Sequence, residues 1–97
     1  MIPDKFKNFY MGRNNLFFPE EEFVIKLSYP RIFVRFKVTE GYYSDFDLFY
    51  TNIAEVQYLD GKRPSDEEQK HILEDVWNYI TMEKGTITDD YVDGGTQ

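Results

Sequence analysis

Asp45 and Asp47 are the residues whose type and spacing come closest to chemistry. On an extended chain they point to one side, roughly 7 Å apart at the strand rise. Paired carboxylates at such a distance can hold a hard cation or divide the roles of acid and base. No third carboxylate lies close to them in sequence, and nothing marks an apolar pocket that would raise a carboxyl pKa. A solvated strand face is the simpler reading. His71 is the only histidine and the chain has no cysteine, so a zinc site or a nucleophilic triad lacks its partners. On a helix, His71 reads as a surface partner of Glu67, four residues earlier. Asp89, Asp90 and Asp93 depart from the D-x-[DN]-x-[DN]-G order of a calcium loop. Gly94-Gly95 follows no strand and opens no helix, as a phosphate loop would require. No catalytic residue, metal or cofactor is expected, and the chain reads as something other than an enzyme.

The same stretch offers a surface instead. Between Val38 and Gly61 there is no Lys or Arg, while Glu40, Asp45, Asp47, Glu55 and Asp60 are interleaved with Tyr42, Tyr43, Phe49, Tyr50 and Tyr58. Tyrosine suits interface anchors, because it adds contact area with little entropy loss and ends in a hydroxyl. The expected partner contacts are Tyr43, Asp45, Asp47, Phe49 and Glu55, with Glu40 and Asp60 at the rim. They form an acidic, aromatic patch on a sheet face turned away from the helix. The competing reading covers that face with residues 1–18.

Net charge supports a basic partner. Residues 1–37 carry seven Lys/Arg against four Asp/Glu, residues 38–63 two against five, and residues 64–97 two against nine, for −7 in all. A direct nucleic-acid binder needs a basic patch that displaces counterions, which this composition lacks. An acidic domain is steered toward basic protein surfaces, such as a toxin, a nuclease or a nucleic-acid-binding protein. No apolar run approaches a membrane span, and Met1-Ile-Pro-Asp-Lys lacks the apolar core of a signal peptide. The expectation is a cytoplasmic protein with no membrane contact, monomeric or weakly homodimeric. The alternative is an assembly subunit that self-associates through a sheet edge or aromatic surface.

The element that must position these residues most firmly is a helix opening after Pro64. Ser65 and Glu68 make a capping box, Asp66, Glu67 and Glu68 fill the first turn, and Lys84 precedes Gly85, a natural stop. Ile72, Leu73, Val76, Trp77 and Ile80 form one apolar stripe at helical spacing. Before it the period is two. Phe23, Ile25, Leu27 and Tyr29 alternate in one strand, and Ile32, Val34, Phe36 and Val38 in the next, with Leu27 expected to face Val34. A three-residue loop, Thr39-Glu40-Gly41, then predicts a third strand over 42–50 that sets Asp45 opposite Arg35. Ala54, Val56 and Tyr58 supply a fourth.

The expected fold is therefore α+β: a four-stranded antiparallel sheet followed by one long amphipathic helix packed on one face, in two layers. The domain spans 1–85, with 1–19 as an aromatic arm or short helix and 86–97 as a flexible acidic tail.

Over 53–83 the layout Ile53-x-x-Val56-x-Tyr58-x-Asp60-Gly61, then Ser65-x-Glu67-Glu68 opening an amphipathic helix, resembles small bacterial toxin-immunity proteins. The resemblance implies a non-catalytic protein that blocks a toxin by tight complementary contact. It carries no functional residue over to this chain.

Overall fold

In the computed structural model, residues 4–96 are described, with side chains for residues 4–84. A single 3-10 turn, Asp4–Phe6, leads into β1 (Phe9–Gly12), β2 (Glu21–Lys26) and β3 (Ile32–Lys37). A short helix α1 (Phe46–Thr51), β4 (Ile53–Tyr58) and the long helix α2 (Asp66–Thr96) follow. The strands form one antiparallel sheet in the order β1-β2-β3-β4, with both helices on one face. This is the expected two-layer α+β architecture. Of the expected flexible acidic tail, 86–97, the backbone of residues 86–96 is the helical end of α2, and its side chains lie outside those described.

The membership of the sheet differs from expectation at two places. Its fourth strand comes from the N-terminal arm, where Phe9↔Lys26 and Met11↔Val24 pair β1 with β2 and bury the Phe9 ring. Residues 42–50 form no strand. The chain turns at Gly41, whose φ of +81° is the left-handed conformation glycine takes readily. It then enters α1, with Asp45 as N-cap. The Asp45 carboxylate accepts the Asp47 N–H at 3.0 Å, and Asp47 adds negative charge to the first turn. Phe46, Phe49 and Tyr50 stand at i, i+3 and i+4, a helical spacing that brings Phe49 against Phe36 and Phe46 against Trp77.

The β2–β3 register also differs. Val24 faces Val34 and Lys26 faces Ile32, so Leu27 to Arg31 form a wider connection than a tight hairpin. That shift exchanges the faces of β2. Val24 points to the helices with Ile32, Val34 and Phe36, all fully buried, while Phe23 and Ile25 point away. Lys26 lands on the helix side, and burial pushes its ammonium pKa down. Its Nζ donates to the carbonyls of Ser28 and Pro30 at 3.0 and 2.9 Å, which holds the connection in place.

Helix α2 follows its opening signals and its apolar stripe, but its backbone stays helical past the expected stop at Gly85, to Thr96. Ser65 Oγ accepts the Glu68 N–H at 3.2 Å, and Leu73, Val76 and Ile80 are fully buried against β3, with Ile72 and Trp77 half-buried beside them. The Trp77 indole N–H donates to the Tyr42 carbonyl at 3.1 Å and the Thr81 hydroxyl to that of Tyr43 at 2.8 Å. These bonds fasten the 39–44 turn to the helix layer.

Candidate functional site

The chain from Glu40 to Asp47 holds four of the expected contact residues close together. Glu40, Tyr43, Asp45 and Asp47 are all exposed, on a turn and helix start that sit on the helix side of the sheet. The expected patch on the opposite face is not formed by them, because α1 replaces the predicted strand. Phe49 is a correction of a different kind. Its ring is fully buried, since the helical turn rotates it into the core beside Phe36 and Phe46.

Asp60 and Glu55 are tied into ion pairs. Asp60 accepts from Arg31 through both its backbone N–H, at 3.0 Å, and its guanidinium. Those hydrogen bonds hold the Asp60 carboxyl below the usual carboxylate range. Glu55 stands opposite Arg35 across the β3–β4 ladder, in the role expected of Asp45. It accepts from Arg35 Nε and Nη2 at 3.3 and 3.1 Å, and from the Gln57 amide at 2.6 Å. Arg35, and then Gln57, lower its carboxyl pKa. His71 pairs with Glu74, Nδ1 to carboxylate 3.3 Å, rather than with Glu67. Among the described residues no three His, Cys, Asp or Glu side chains converge in a way that could hold a metal ion.

Of the expected contacts, only Glu55 lies on the uncovered sheet face, and there it borders a groove of about 400 Å³. Phe23 and Phe33 form its floor, with ring centroids 5.6 Å apart on neighbouring strands. Ile25 and Leu59 extend the apolar lining. Arg35 crosses one end, held by Glu21 and Glu55, and the Phe18 ring covers its guanidinium 4.1 Å from the ring centroid. Phe18 thus approaches the face from the β1–β2 connection, but residues 1–18 do not cover it. Neighbouring Leu16 and Phe17 are 82% and 71% exposed. Two carboxylates, Glu21 and Glu55, meet one guanidinium here, and Lys37 stands opposite Glu21 in the ladder, so this end of the groove is charged with both signs.

Phe18, Phe23, Ile25, Phe33 and Leu59 were not expected contacts. Their signal was present in the strands. Phe23-Val24-Ile25 and Ile32-Phe33-Val34 are apolar at both parities, so whichever parity the helices cover, the other face also carries hydrophobic groups. Among the described residues no helix is long and apolar enough to cross a membrane. No family model, curated protein or solved structure matches this chain.

Proposed function

We propose that this chain is a non-enzymatic acidic binding protein that neutralises or inhibits a basic protein partner, in the manner of an immunity protein or a phage-encoded inhibitor. The contact surface is the uncovered sheet face. One observation supports this above the rest: with the core complete, Phe18, Phe23, Ile25, Phe33 and Leu59 remain around a groove at whose end Glu21 and Glu55 hold Arg35. Contiguous apolar surface on a folded domain marks an interaction site, and a recess of this kind accepts a non-polar anchor side chain. Glu21 and Glu55 favour a Lys or Arg beside that anchor. The net charge of −7 opposes docking on nucleic acid or on a second copy, and favours a basic protein. Glu40, Asp45 and Asp47, on the helix side, add to the long-range field that steers the partner. A toxin, a nuclease or a nucleic-acid-binding protein has the required charge, and a chain without cysteine suits the cytoplasm.

The test offers the immobilised protein small globular proteins of matched size, basic and acidic, at low and high salt. Binding is expected only to basic proteins, weakening with salt. It should fall about tenfold or more when Phe33 and Leu59 are both replaced by Ala, the loss typical of two anchors. Equal retention of acidic proteins, or a double variant that binds like the wild type, overturns the reading.

A further inference from the structure

β4 ends the sheet, and no described element pairs with its outer side. Sheet edges are ordinarily protected by proline, lysine or an inward-pointing charge, because their unpaired backbone groups accept another strand. Ile53–Tyr58 contains neither proline nor lysine, and its one charge is Glu55. The hydrogen-bond phase shows which groups are free. Leu59 N–H donates to the Arg31 carbonyl at 2.9 Å, so the antiparallel alternation makes Phe33↔Gln57 and Arg35↔Glu55 the bonded pairs. Val56 and Tyr58 therefore turn their N–H groups outward, together with the Val56 carbonyl.

This edge adjoins the groove. Glu55 and Gln57 are the β4 residues on the groove side, next to Phe33 and Arg35 of β3. A strand laid beside β4, about 4.8 Å away, would bring every second side chain over that same face. We propose that β4 accepts an added strand from the partner: an extended segment carrying a non-polar residue and a Lys or Arg two positions apart. The inference rests on the reading of the open face given above, and it supplies the mode of binding. Main-chain bonds to Val56 and Tyr58 hold the segment, its non-polar side chain enters the groove, and its cation lies by Glu55. A second copy of β4 would present a carboxylate at this place and bring another −7 of charge, so a basic segment is the occupant.

The probe is a blocked synthetic peptide repeating valine-threonine-lysine-threonine, which sets valine and lysine two positions apart on one face, added to the full chain and followed by amide NMR shifts and hydrogen exchange. The same repeat with glutamate in place of lysine serves as control. The lysine peptide is expected to slow exchange at the Val56 and Tyr58 amides and to shift Phe33 and Leu59. The control should do neither. Val56→Pro removes an outward donor, and affinity should fall at least fivefold. Because Val56 is half-buried, Gln57→Lys, an exposed substitution that adds like charge at the edge, is measured beside it and should weaken the peptide similarly. Groove shifts without protection at Val56 and Tyr58, and with both variants neutral, overturn strand addition while leaving the open-face reading intact. No response at either place overturns both. Equal binding of the glutamate peptide, or a concentration-dependent dimer that protects the same amides, also overturns the proposal.

Discussion

Phe49 and Asp45 show how much a local change of period decides for single residues. Both belonged to an expected contact patch, and both do structural work. Phe49 fills the core beside Phe36, and Asp45 caps α1 by accepting the Asp47 N–H. In a urea series, Phe49→Ala is expected to lose about 3–5 kcal/mol by leaving a cavity. Asp45→Ala should lose about 0.5–2 kcal/mol through the cap. An Asp45→Ala loss matching that of Phe49→Ala, or a Phe49→Ala variant as stable as wild type, would contradict these roles. Gly12 is constrained by neighbouring packing rather than by a turn. A Cβ there would stand 2.6 Å from the Phe23 ring, so glycine lets that ring lie flat on the groove floor.

At the scale of elements, the clearest sequence signals were those that several local features shared. α2 has a cap, an acidic first turn and an apolar stripe that agree, and β3 alternates with its even residues buried. The stretch 42–50 satisfied two periods at once. Tyr42, Phe46 and Tyr50 fit a strand face as well as a helix face, and only the capping potential of Asp45 separates them. The register of β2 on β3 was equally underdetermined, because Phe23-Val24-Ile25 is apolar on both parities. A sheet face turned away from the helix was expected, but the residues on it follow from that register and could not be named without it. The β3–β4 pair is also tied by charge, through Arg35 to Glu55 and Arg31 to Asp60. Both carboxyls have folded pKa values below their unfolded ones. The stability they add is therefore full above the ordinary carboxylate range, about pH 4, and is lost as pH falls through the depressed values. Asp60→Asn should flatten the acid limb of a stability–pH curve. Superimposable acid limbs would show that the pair adds nothing there.

As a whole, the molecule is two-sided. One side is a helical layer with the acidic turn around Glu40 and Asp47, and the other is a bare sheet face with an apolar groove. A partner seated on the sheet side, as proposed, would leave the contacts of the helix layer undisturbed. Trp77 lies in that layer and is the chain's only tryptophan, with its indole bonded to the backbone of the 39–44 turn. Its emission is thus a built-in optical gauge of one side alone. A partner seated on Phe23 and Phe33 should leave the spectrum's wavelength unmoved. A partner that instead grips Tyr43 and Asp47 should shift it, without any label being attached.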